Sequence, residues 1–104
     1  MTMAVKDATW RPRGCYQTAD LSTAVGCPSL AGLNSVRGAI IQAVDNDVAW
    51  RDDGTTATNS SGGSFGGMIL AAGESFFYIG ELTKLSFIEA GSGNTAYINI
   101  AYYG

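Results

Sequence analysis

The sequence predicts an all-β domain, an antiparallel sandwich or barrel, and two observations carry that prediction. From Gly66 to Gly104, four short runs of apolar, β-branched and aromatic residues are cut at Gly73, Gly80 and the Gly91–Gly93 turn. Turn signals at about ten-residue spacing belong to antiparallel sheets rather than to helices or βαβ units. Within the runs, side-chain character alternates with the period of two that a half-buried strand requires.

Taken in order, residues 1–13 contain Pro12 and no periodicity, which reads as an extended N-terminal arm anchored by Trp10. Residues 14–104 then form a single β domain. Gly14 to Leu21 alternates weakly and is a first strand. The connection 22–35 carries Gly26, Pro28 and Gly32, and Cys27-Pro28 breaks any helix there. Val36 to Val44 is apolar on both faces and is expected to be covered on both. Gly38 within it marks a bulge or a close backbone approach.

Asp45-Asn46-Asp47 makes a tight turn, since Asx residues tolerate the left-handed region. Val48 to Arg51 then returns as the hairpin partner of the preceding strand. In that strand Trp50 points to the core and Arg51 outward, toward an acid on a neighbour. Residues 52–67 form a long, polar, glycine-rich loop, with Phe65 placed to dock on the body. Met68–Ala71, Glu74–Ile79, Leu82–Glu89 and Thr95–Tyr103 complete the strands. In the last, Ile98 and Ile100 face the core, and Tyr97, Asn99 and Tyr103 make an amphipathic outer face suited to an interface.

Charged residues are 14% of the chain, well below the usual quarter. Such a chain, rich in Gly, Ser, Thr and Ala, is expected to cover part of its surface with neighbouring subunits. The net charge of −3 hides an asymmetry. Residues 1–14 carry Lys6, Arg11 and Arg13 against Asp7, while residues 15–104 carry three cations against eight acids. A basic arm ahead of an acidic body suits docking on an acidic neighbour, another copy included; a solvated, frayed terminus is the plainer reading. Three cations on a short arm make a poor phosphate footprint, so no nucleic-acid partner is expected. No apolar run approaches the ~18 residues of a membrane span, and the first residues lack a signal-peptide core. The expected setting is the cytosol, without membrane contact.

Chemistry is scarce. With no histidine, the serines, threonines and two cysteines lack a base partner. Asp52-Asp53 and Asp45/Asp47 cannot face each other across a cleft as glycosidase acids must, because adjacent strand residues point to opposite faces. Their spacing matches no calcium loop, and two scattered cysteines do not hold zinc. Cys15 and Cys27 are expected as buried free thiols, a bridge requiring Cα atoms within about 7 Å. No catalytic, cofactor or metal residues are expected.

The segments VAWRDDGTTAT, GMILAAGESFFYIGELTKLSFIEAGSG and INIAYYG resemble, in order and spacing, a group of small tailed-bacteriophage structural proteins. The resemblance covers Val48 to Tyr103 and departs in the loop 55–67 and in the arm. It implies a non-enzymatic β-sandwich, jelly-roll-like, on the virion surface after synthesis in the bacterial host cytoplasm. The implied role is a capsid decoration (cement) protein, a homotrimer bound to the major capsid protein lattice. In that picture Trp10, Arg11 and Arg13 reach to capsid or sister subunit, and Tyr97, Tyr102 and Tyr103 supply contact within the oligomer. The loop 52–67, with Phe65, faces outward or fills the three-fold axis. A different class is a tail- or fibre-associated receptor module in which Trp, Tyr and Asp engage host glycan.

Overall fold

The structure, a computed structural model, describes residues 10–33, 35–59 and 66–104. Seven strands build two antiparallel sheets: β1 (Pro12–Gln17), β2 (Gly38–Val44), β3 (Val48–Arg51), β4 (Met68–Leu70), β5 (Ser75–Ile79), β6 (Ser86–Glu89) and β7 (Tyr97–Tyr103). The larger sheet runs β1-β7-β2-β5 and the smaller β4-β3-β6. The all-β, two-sheet expectation holds, and six of the seven strands start within two residues of where alternation places them. The sixth is shorter than expected. Leu82–Lys84 is a 3₁₀ turn that buries Leu82, and the strand proper begins only at Ser86. Strand β1 begins at Pro12, so the last two residues assigned to the arm lie in the sheet, and Leu21 lies beyond the strand.

The core fills the space between the sheets. Ala39, Ile41, Ala43, Ile98, Ile100 and Tyr102 come from the larger sheet, and Val48, Leu70 and Phe87 from the smaller. Burying each large apolar side chain contributes roughly 1.5–3 kcal/mol. Tyr102 fits this apolar layer because its hydroxyl donates to the Pro28 carbonyl at 2.6 Å, satisfying its polar tip. The Ile98/Ile100 face is the buried one, as alternation predicts. Strand β2 departs from expectation: Ala39, Ile41 and Ala43 are buried, but Ile40, Gln42 and Val44 on its other face are only half covered.

The expected hairpin of β2 with β3 does not form. Asp45 adopts the left-handed region (φ 74°) as an Asx residue can, but the chain then crosses to the smaller sheet. The reason lies in the competitors. Strand β7 pairs with β2 along all seven residues and β5 along five, so neither edge of β2 remains for β3. Gly38 is a close-approach glycine, since a Cβ there would meet the Tyr78 carbonyl oxygen at 2.9 Å and the Trp10 ring at 2.8 Å.

The two flanks of the sandwich differ. On one, the segment Thr18–Val25 ties the sheets together. Leu21 donates its N–H to Ala96 beside β7 and accepts from Glu89 of β6, and Val25 bridges Phe87. On the other flank, β5 and β4 are edge strands joined through the turn Ala71–Glu74. There Gly73 (φ +81°) forms a bulge, donating to the Ala43 carbonyl while the Ala43 N–H reaches the Glu74 carbonyl.

Candidate functional site

Four of the residues singled out in the sequence converge at one end of the larger sheet. Arg11 exchanges two main-chain hydrogen bonds with Gly104, and Pro12 lies opposite Tyr103. The Arg13 guanidinium reaches the Gly104 carbonyl at 3.3 Å. Trp10 crosses over Gly38 to the Phe77 ring, 5.6 Å between centroids, and takes the Arg37 guanidinium over its own face at 5.2 Å. Exposed arginines among aromatic rings thus gather around Gly38 and Tyr103, while residues 1–9 of the expected arm lie outside the described residues. Glycine at 38 is what lets the indole lie this close.

The second surface is the open flank. Edge strands of a self-sufficient domain are normally blunted by proline, lysine, bulges or charge. Strand β1 is blunted in this way, by Pro12, Arg13 and a register shift at Gly14. Strand β5, sequence SFFYI, carries no charge and no proline. The Ala43–Glu74 bond sets its hydrogen-bonding parity, so Ser75, Phe77 and Ile79 direct their N–H and C=O groups away from the sheet. The three exposed large apolar residues, Met68 (57%), Ile69 (50%) and Ile79 (61%), all lie on the two strands of this flank.

The third is the outer face of the larger sheet, a groove of about 480 Å³. Gln17, Asn99, Gln42 and Ser75 sit side by side across all four strands. Gln17 Nε2 donates to Asn99 Oδ1 at 2.8 Å, and Asn99 Nδ2 to Gln42 Oε1 at 3.3 Å. The neighbouring row, Cys15, Ala101 and Ile40, is apolar and gives the groove its floor. Tyr97 and Tyr103 stand on this face as expected, half buried.

Other expected residues fall elsewhere. Tyr102, expected at an interface, is fully buried, because its parity on β7 is that of Ile98 and Ile100. Arg51 engages its own chain, with Nε and Nη2 donating to Asp53 at 3.1 and 2.5 Å. The guanidinium, helped by the Thr55 N–H, holds the Asp53 carboxyl down at about 2. Phe65 lies outside the described residues. Thr55–Asn59 turns back onto the smaller sheet, where Ala57 is buried against Ala49 and Ile88 and Asn59 donates to the Glu89 carbonyl. Cys15 is exposed, not buried. Cys27 is half buried, and both thiols are free. Burial pushes the Cys27 thiol up to about 11.

The acidic pairs do other work. Asp47 Oδ1 accepts from the Ala72 N–H, and Asp52 Oδ2 accepts from the Tyr78 hydroxyl. They bracket β3, one at each end. Among the described residues, no group of three His, Cys, Asp or Glu side chains is placed to hold a metal ion, and no helix is long and apolar enough to cross a membrane.

Sequence reasoning missed the amide row and the open flank. Alternation does place Gln17, Gln42 and Asn99 on outward positions, but their alignment depends on strand order, which alternation does not encode. Comparison with protein-family models, curated proteins and solved structures finds no match for this chain.

Proposed function

We propose that this chain is a non-enzymatic structural protein of a tailed-phage virion. In this reading it is a capsid decoration (cement) protein that binds the major capsid protein lattice as an oligomer, a trimer by resemblance, and stabilises the shell. The observation that carries the reading is the open flank. An edge strand without charge or proline, on a flank with exposed apolar side chains, is a liability in a monomer and an asset in an assembly unit. Strand order adds support. Counting the Val25 bridge as a reduced second strand, the eight run 1-8-3-6 in one sheet and 2-7-4-5 in the other. In this reading that is the order of a jelly roll, an architecture used in capsid and lectin domains. Extra interface offered only by the expanded shell would stabilise that state by linkage.

The test is copy number in purified virions, together with binding of the isolated protein to shells before and after expansion. Hundreds of copies, and binding confined to expanded shells, are expected. A handful of copies overturns the shell assignment in favour of a tail position.

A second reading, a tail- or fibre-associated glycan-binding module, is favoured by the groove. Its amide row and apolar floor suit an uncharged ligand with hydroxyl groups on one face. Trp50, Tyr78 and Asp52 do gather, the two rings edge to face at 6.4 Å and the Tyr78 hydroxyl donating to Asp52 at 3.1 Å, but outside the groove. Trp50 is packed between the sheets on Phe76, away from the groove. Binding of the isolated protein on a glycan array, lost with Gln42→Ala, is the outcome this reading expects.

A further inference from the structure

The charges of this sandwich are sorted along its strands. Gly38 of β2, Tyr103 of β7, Pro12 of β1, Ile79 of β5 and Arg51 of β3 mark one end. Arg11, Arg13, Arg37, Arg51 and Lys84, every cation among the described residues, lie there with Asp52, Asp53 and Glu81, a balance of +2. Val44, Tyr97, Val48 and Leu70 mark the opposite end. Asp20, Asp45, Asp47, Glu74 and Glu89 lie there with no cation among the described residues, a balance of −5. The two ends are separated by the length of β2, about 20 Å. The net charge of −3 is therefore the sum of two opposite poles.

We infer that copies of this chain associate end to end, the Arg11/Arg13 end of one docking on the Asp20/Asp47/Glu74 end of the next. Charge complementarity selects the partner. Two like ends repel, whereas a cationic end and an acidic end attract at a range set by the Debye length, about 8 Å at physiological salt. Arg11 and Arg13 are the contributors, both exposed at the start of β1, with Arg11 in no ion pair among the described residues. Isolated exposed ion pairs are worth little, so the contact needs apolar surface beside the charge. Both ends supply it: Trp10, Tyr103 and Ile79 at the basic end, and Ile69 at the acidic end. Ile69 lines a cleft of about 380 Å³ together with Asn46, Asp47 and Asn94. Such a cleft offers a guanidinium a carboxylate and two amides, and offers its methylene stem an apolar wall.

The surfaces at the two ends differ, so the contact is heterologous. It cannot close by a two-fold axis; it closes as a ring of three or more, or grows as a filament. The inference rests on the self-association in the reading above and adds to it the surfaces that meet. Its test uses the isolated protein without any particle, so failure here leaves the virion assignment standing.

The experiment is sedimentation of the full chain at about 20 mM and about 500 mM salt. The expected result is an oligomer of three or more copies at low salt whose dissociation constant rises at least about tenfold at high salt. The variant Arg11→Glu/Arg13→Glu, which takes the basic end from +2 to −2, and the variant Asp20→Lys/Asp47→Lys/Glu74→Lys, which takes the acidic end from −5 to +1, are each expected to be monomeric, and their equimolar mixture to associate again. Circular dichroism of each variant checks the fold, and the wild-type salt series stands as a test even where a variant fails it. A monomer at low salt, an oligomer that tightens with salt, a two-fold dimer, or folded variants that keep the wild-type mass each overturn the inference.

Discussion

Trp50 of β3 and Phe76 of β5 stack across the sheets with ring centroids 4.9 Å apart and an interplanar angle of 27°. They sit on the flank where the edge strands β4 and β5 run side by side without the main-chain ties that Leu21 provides opposite. The pair is therefore a side-chain link across that flank, beside the Tyr78–Asp52 hydrogen bond. Trp50→Ala and Phe76→Ala are each expected to cost about 3 kcal/mol, with a coupling of about 1 kcal/mol in the double variant. Urea denaturation of the four proteins measures both, and strict additivity would refute the link.

Gly38 holds its place for want of a Cβ. In Gly38→Ala the new methyl meets the Tyr78 carbonyl oxygen, a backbone atom that cannot step aside, and the Trp10 ring. The expected cost is about 1–3 kcal/mol, accompanied by a red-shifted Trp10 emission as the indole leaves Phe77. Thermal melts followed by fluorescence in a Trp50→Phe background read both effects.

The two thiols are expected to react very differently. Cys15 is exposed on β1 and should be labelled at once by a thiol reagent at neutral pH. Cys27 is half buried with its Sγ donating to the Leu82 carbonyl at 3.4 Å, and should label only after denaturation. Its pKa, raised from 9.0 to about 11, favours the neutral thiol in the folded state. The associated stability is fully present below pH 9 and is lost as pH rises toward about 11. Urea midpoints measured across that window should fall, and the fall should be smaller in Cys27→Ala.

Tyr102→Phe removes the hydroxyl that reaches the Pro28 carbonyl and leaves that carbonyl with its partner gone. A loss of about 1–2 kcal/mol is expected, with the strand pairing intact by circular dichroism. An unchanged stability would mean that water reaches Pro28 once the hydroxyl is gone.

Much of the fold was legible because alternation and glycine punctuation act locally. Ile98, Ile100, Leu85 and Phe87 declare their buried parity within a few residues of themselves. Pairing is not local. The Asp45–Asp47 turn looks like a hairpin turn from inside the segment, and only the arrival of β5 and β7 on either side of β2 makes it a crossing between sheets. The surfaces were less legible still. Trp10, Arg11, Arg13 and Tyr103 were singled out one by one, yet it is the pairing of β1 with β7 that brings them together. Alternation puts Tyr102 on the Ile98/Ile100 side, and only the resemblance gave it an interface role; the Pro28 carbonyl, by accepting its hydroxyl, lets it stay buried.

The position of β7 bears on how the chain is made. It is an inner strand of the larger sheet, hydrogen-bonded to β1 and β2 on its two sides, yet it leaves the ribosome after both. Until then β1 has no partner strand and β2 has at most β5, each with main-chain groups open to stray pairing. Folding dominated by such distant pairings is slow, and the nascent chain spends that interval exposed. A chaperone that shields extended apolar segments would therefore act on this protein before Tyr97 emerges, and have little to hold once β7 has closed the sheet.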